Sequence, residues 1–277
     1  QQLTRLIYLI RAAGKRVNLV SQINSFVDVP YKPPCVAFRL DDIQDYYMVM
    51  QQTAVMNVFA QIGAPLSIGV IANQFGRDVA AVNAVRALLT AYPNTFEVCS
   101  HGWNHENFGN LSQSTQSQLL GQSVTRIQST LNTRTTCFIP PFNTINSNTA
   151  AACTANGITV MSAEVDEDKP PYNTAANPPS NGLWRFPINA STAIENTSGY
   201  YVGIPANSTL AQIKTQMTKL GYAAVMMHPY EFGTFNEAGI PDDTELNNSQ
   251  ITELQNVILG TVMFGAKLVP LGKLNQC

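Results

Sequence analysis

Residues 35–42 read Cys-Val-Ala-Phe-Arg-Leu-Asp-Asp, a short apolar run that stops abruptly on two adjacent carboxylates. Preceded by the proline-rich Val29-Pro30-Tyr31-Lys32-Pro33-Pro34, it has the form of a buried parallel strand with functional groups at its carboxyl end. The same form recurs along the chain. Phe96–Ser100 leads into His101, residues 137–139 into Pro140-Pro141-Phe142-Asn143, and Tyr222–Met227 into His228. Apolar spacing predicts helices over 45–61, 78–91, 112–131, 147–156, 209–220 and 249–259, with further strands over 65–71, 158–161 and 266–271. Strands alternating with helices imply a parallel sheet, and polar residues just past the strands imply a site on the face where α/β barrels build theirs.

Outside that alternation, Leu3, Leu6, Ile7 and Ile10 recur at helical spacing before Gly14. Residues 1–33 are therefore expected to be an extension packing on a barrel domain spanning 34–277. Residues 169–208, rich in Pro, Asn and Ser, read as a surface excursion. There is no internal repeat.

With 277 residues the chain can bury a large core. Charged residues make up 12%, about half the usual share, so surface polarity must come from Asn, Gln, Ser and Thr. A net charge of −2 gives no reason to expect nucleic acid or an anionic membrane as partner, and suits a neutral polymer better than a polyanion. No run approaches the ~18–20 apolar residues of a membrane span. Sequons at Asn110, Asn189, Asn196, Asn207 and Asn247 point to N-linked glycans. With the start at Gln1 rather than Met, they suggest a mature secreted protein, extracellular or in a cell wall. Of five cysteines, Cys137 and Cys153 flank a loop-rich segment and form the first candidate disulfide. Cys35 with Cys277 is a second, which would leave Cys99 as a buried thiol.

The chain has only three histidines, and all fall at or within one turn of an expected strand end. His101 and His105, four apart on a single helical turn, can reach one metal. Two neutral imidazoles and one carboxylate leave an open coordination position, as catalytic zinc requires.

Taken in order, Arg39-Leu40-Asp41-Asp42, His101-Gly102-Trp103-Asn104-His105, Ile139-Pro140-Pro141-Phe142 and Met226-Met227-His228 resemble the motifs of the polysaccharide deacetylases of the NodB homology class, carbohydrate esterase family 4. The resemblance covers roughly residues 35–275 and implies a distorted (β/α) barrel. It implies that Asp42, His101 and His105 hold Zn²⁺ or another divalent metal and that Asp41 is the general base. His228 would protonate the departing amine, the Phe142 N–H would stabilise the oxyanion, and Met226 would line the acetyl pocket beside Pro141. The reaction implied is removal of N-acetyl groups from a chitin-like aminosugar polymer. Alternatives are an O-acetyl polysaccharide esterase, or a catalytically weak binding or structural protein that retains the metal. Two motifs depart from the pattern. Ile139 stands where the family has an arginine that pairs with the catalytic aspartate. Arg39, two residues before Asp41 and on the same strand face, is expected to replace it. The fourth motif lacks its Trp, so Asp166 or Asp168 is expected to orient His228, with Trp103 or Trp184 walling the site.

Overall fold

A computed structural model describes residues 33–164 and 179–277. The proposed N-terminal helix, most of the 1–33 extension, and Asp166 and Asp168 lie outside the described residues. In chain order the elements begin β1 Cys35–Ile43, α1 Val49–Ile62, β2 Leu66–Val70, α2 Val79–Ala91, β3 Phe96–Ser100, α3 Gln113–Leu131, β4 Cys137–Phe138, α4 Thr149–Ala155 and β5 Val160–Met161. They continue with β6 Trp184–Arg185, β7 Ala190–Ser191, β8 Ala193–Glu195, β9 Tyr201–Gly203, α5 Ala206–Leu220, β10 Tyr222–Met227, β11 Gly233–Phe235, β12 Pro241–Leu246, α6 Asn248–Met263 and β13 Lys267–Leu268. The main sheet runs β6-β5-β4-β3-β2-β1-β10-β7, with β13 also paired to β1, and every pairing in it is parallel. Curled on itself and flanked by helices, it is the distorted (β/α) barrel of the NodB type.

Side-chain parity explains what the curl encloses. Successive residues of a strand point to opposite faces. On β1 the even positions Val36, Phe38 and Leu40 join the core shared with the helices, as do Leu66, Ile68 and Val70 of β2 and Ala223, Val225 and Met227 of β10. The odd positions Cys35 and Ala37 pack in a second cluster inside the curl, with Cys99, Cys137, Ile139, Tyr222 and Ala224. Continuing that inner face toward the carboxyl ends reaches Arg39 and Asp41, then His101 just past β3, Met226 on β10 and His228 just past it. The interior is thus apolar at its floor and polar at its mouth.

Local chemistry sets the element ends. Asp78 caps α2 by accepting from the Ala80 and Ala81 N–H groups, and Asn247 caps α6 through the Gln250 N–H. The helix expected from residue 45 starts only at Val49, because the Asp45 carboxylate is spent on the loop before α2. It accepts from the N–H groups of Gly76 (2.6 Å), Arg77 and Asp78 (2.8 Å). The described part of the expected surface excursion, residues 179–208, is more ordered than its composition suggested, since β6 and β7 join the main sheet and β8 pairs with β9. The β11–β12 hairpin was also not expected. The disulfide joins Cys35 to Cys277, with their Cα atoms 5.9 Å apart. Cys137 and Cys153 are free, which corrects the first-choice pairing: Cys137 points into the barrel with Cys99, whereas Cys153 packs under α3 and α4.

Candidate active site

Two carboxylates in sequence would normally face opposite sides of a strand, yet both serve the barrel mouth. Pairing between β1 and β2 shifts register between Leu40 and Ile43, and Asp42 takes a left-handed φ of 59°. This bulge keeps Asp41 inside and swings Asp42 over the rim. Asp is among the residues that tolerate such a backbone at low cost.

His101 follows β3 directly and is tied down at both ends. Its N–H donates to the Val70 carbonyl at 2.8 Å, and its Nδ1 lies 2.8 Å from the Ile139 carbonyl oxygen. A carbonyl can only accept, so the ring proton sits on Nδ1 and the Nε2 lone pair faces outward. That Nε2 is 3.2 Å from Asp42 Oδ1, and His105 Nε2 is also 3.2 Å from the same oxygen. Residues 101–105 do not form the helical turn expected from their spacing. The segment is a loop with left-handed Gly102 (φ 78°) and His105 (φ 65°), held by Glu106, which accepts from the Trp103 and Asn104 N–H groups at 3.1 and 3.0 Å. A Cβ at Gly102 would sit 3.1 Å from Pro141 Cγ, so the close approach of the two loops also favours glycine there.

The three ligand atoms lie within 4.8 Å of one another. Asp42 Oδ1 is buried and has no hydrogen-bond donor. A carboxylate oxygen facing the lone pair of His101 at hydrogen-bond distance is repulsive unless a cation lies between them. The set therefore fits a divalent metal with N,N,O ligation.

Beneath this set lies Arg39, fully buried. Its guanidinium pairs with Asp41 Oδ2 at 3.0 Å and donates to the Ser162 hydroxyl at 3.0 Å, to the Ser162 carbonyl and to Asn143 Oδ1. Burial pulls the Arg39 pKa down, and the neighbouring Asp41 carboxylate opposes that. Ile139, in the family's arginine position, is an apolar wall of the barrel interior.

On the far side of Asp41, His228 presents Nε2 at 4.0 Å from Asp41 Oδ2. Its Nδ1 lies 3.3 Å from Glu231 Oε1, which also accepts the His228 backbone N–H at 2.7 Å. The other oxygen of Glu231 accepts from Thr192 Oγ1 at 2.5 Å. The imidazole is sandwiched between Tyr201 (centroids 4.8 Å, 22°) and Tyr230 (5.0 Å, 15°). Burial alone would lower the His228 pKa, but the Glu231 hydrogen bond and the charges of Asp42 and Asp41 outweigh it and raise the pKa above the ordinary histidine value.

Of the remaining residues singled out in the sequence, Met226 is buried and its sulfur accepts from Asn143 Nδ2 at 3.4 Å. Phe142 is 58% exposed with a left-handed backbone (φ 57°), and its ring packs on His105 at 4.6 Å. Pro141 is buried against the Gly102 turn. Trp103 packs against the helix-side core, and Trp184 stacks on Phe186. Sequence reasoning missed Glu231, Tyr201, Tyr230, Asn143 and Ser162. A signal for Glu231 was present: His228-Pro229-Tyr230-Glu231 has the spacing of a capping box with proline at its first helical position. The tyrosines and Ser162 carried none, because only tertiary folding brings them to the histidine and the arginine.

Residues 28–161 match the polysaccharide deacetylase family. No curated protein matches the chain by sequence. Among solved structures the fold is similar to a Mycobacterium smegmatis protein classed with the polysaccharide deacetylases, at 14% identity, TM-score 0.64, and 90% of this chain against 92% of that one. It is similar to a family 4 acetyl xylan esterase from Clostridium thermocellum solved with a cobalt ion (15% identity, 87% and 90% covered, TM-score 0.55). A family 4 pseudoenzyme from Bacillus anthracis is also similar (14% identity, 88% and 66% covered, TM-score 0.53). Residues 28–161 thus carry the sequence pattern of the polysaccharide deacetylase family, and the barrel around the whole site is similar in fold to family 4 carbohydrate esterases.

Proposed function

We propose that this protein is a secreted, divalent-metal-dependent deacetylase that removes N-acetyl groups from a neutral aminosugar polymer of the chitin type. The observation that carries the reading is the opposition across one carboxylate. Asp41 is ion-paired to Arg39 at 3.0 Å on one side and faced by His228 at 4.0 Å on the other, with the Asp42, His101 and His105 donors converging beside it.

Asp42, His101 and His105 would hold the metal, Zn²⁺ or a similar ion. When bound, it supplies Lewis-acid polarisation of the acetyl carbonyl and brings the pKa of water towards ~7. Asp41 accepts the proton of the attacking water as general base, and Arg39, paired to it at 3.0 Å, holds that carboxylate in place. His228 carries a proton on Nε2 to the leaving nitrogen, while Glu231 holds the Nδ1 proton and fixes the ring. The Phe142 N–H serves the developing oxyanion, Met226 and Pro141 line the acetyl pocket, and the exposed Phe142 ring offers a sugar-stacking face.

Acetate release from chitin oligomers by metal-loaded protein, compared with Asp41→Asn, tests the reading. Equal activity in both would remove Asp41 from its role. The likeness to an acetyl xylan esterase favours one second reading, an O-acetyl esterase, for which acetylated xylan is the parallel substrate. No release from either substrate would favour a non-catalytic glycan-binding protein, as the pseudoenzyme neighbour illustrates. For the glycans, Asn110 and Asn207 are the exposed sequon sites suited to modification. Asn189 Nδ2 is buried, Asn196 Nδ2 donates to the Gly239 carbonyl at 3.0 Å, and Asn247 caps α6.

A further inference from the structure

Directly below the site, on the same inward face of β3, His101 is followed downward by Cys99 and Glu97. Cys99 stands in register with Cys137 on the neighbouring strand β4. The two sulfurs and a Glu97 oxygen all lie within 4.8 Å of one another, and Cys99 Sγ is 3.8 Å from Glu97 Oε2. Both cysteines are fully buried and unpaired, although the chain's disulfide partners Cys35 and Cys277 belong to the same interior cluster.

We propose that Glu97, Cys99 and Cys137 form a second, structural cation site that takes a thiophilic divalent ion such as Zn²⁺ or Cd²⁺. Three arguments carry it. First, the spacing is close to what such an ion needs. A tetrahedral zinc has metal–sulfur and metal–oxygen distances of about 2.0–2.3 Å, so its ligands sit roughly 3.5 Å apart; the Cys99–Glu97 pair is at 3.8 Å and the whole set lies within 4.8 Å. Second, the charges suit a cation. Two thiolates and a carboxylate more than offset a divalent ion, and they are the donor types such an ion takes. Binding releases the two thiol protons to solvent. Third, the seam needs a fastening. Strand β4 is two residues long and meets β3 through two residue pairs, Cys99 with Cys137 and Ser100 with Phe138. These strands deliver His101 and the Ile139 carbonyl that orients it. An ion bound by Cys99 and Cys137 staples that seam one layer below the catalytic ligands.

Glu97 is already held in place for the task. Ser67 Oγ donates to it at 2.7 Å and the Gly272 N–H at 3.1 Å, while the Leu271 N–H donates to Ser67 Oγ at 2.9 Å. The ligand oxygen is thereby fixed from the barrel floor, and the ion's fourth position is left to a small ligand such as water.

Cadmium titration of the full chain, with its disulfide intact, tests this independently of catalysis. Thiolate ligation gives an ultraviolet sulfur-to-cadmium charge-transfer band that an Asp-His-His site cannot produce. Wild type should bind two equivalents with the band. Cys99→Ser and Cys137→Ser should each bind one equivalent without it, and His101→Ala should bind one equivalent with it. Should the serine variants fail to fold, Glu97→Gln retains both thiols and should weaken the band-forming site more than about tenfold. A single equivalent with no band in wild type would overturn the proposal. So would a band that survives both serine substitutions, or a Glu97→Gln variant with unchanged cadmium affinity. Loss of the His101-dependent equivalent alone would count against the catalytic reading and leave this site standing.

Discussion

His101 and His228 make an instructive pair. Both are buried, both stand one residue past a central barrel strand, and both present Nε2 toward the paired carboxylates. They differ in what holds Nδ1. His101 faces the Ile139 carbonyl, an uncharged acceptor that takes the Nδ1 proton's hydrogen bond and leaves Nε2 free to ligate. His228 faces the Glu231 carboxylate and lies between two aromatic faces, surroundings that favour the imidazolium. One histidine is prepared as a ligand and the other as an acid. The Nδ1 partner, more than burial or strand position, separates the two roles.

Experiments can break that contrast at several points. His101→Ala should have the largest effect, bringing hydrolysis to background and removing the metal equivalent at that site; full metal retention by calorimetry would refute the ligand role. Asp41→Asn should lower kcat by about 10²–10⁴-fold with metal stoichiometry unchanged. A parallel loss of metal would make Asp41 a ligand rather than a base. Glu231→Gln should cost roughly 10–100-fold in kcat, the range seen when an orienting partner is removed, and should alter the pH profile. His228 must stay protonated to act as acid, and its pKa is raised in part by Glu231. Removing the carboxylate lowers that pKa, so the alkaline limb of kcat should move to lower pH. An unmoved limb would assign the limb to another group. The same linkage gives stability. The His228–Glu231 contribution is present below the ordinary histidine pKa of about 6.5 and is lost as pH rises through the higher folded value. Least damaging to the rate should be Cys35→Ser, which costs about 2–4 kcal/mol of stability and lowers Tm, with kcat measured well below the melt nearly unchanged.

The strands that carry the site were legible because each is an apolar run ending on a polar residue, and the parity of residues 35–41 already placed Arg39 and Asp41 on one face. The Arg39–Asp41 ion pair follows from that parity alone. Less legible was the backbone between strands. Two histidines four apart have helical spacing, but Gly102 and the Glu106 carboxylate make a tight loop of the segment instead. The Cys137–Cys153 expectation failed because proximity along the chain says nothing of facing: β4 directs Cys137 into the barrel and α4 places Cys153 outside it. Strands β6 and β7, two residues each, are too short to leave a periodic signal and exist because neighbouring strand edges pair with them.

The link between Cys35 and Cys277 spans 242 positions and closes the barrel chain into a covalent ring. Opening a ring once yields a line, not two pieces. A protease that cuts a single exposed loop anywhere between these residues should therefore leave one molecule of unchanged mass, apart from the water added, until a reductant separates the parts.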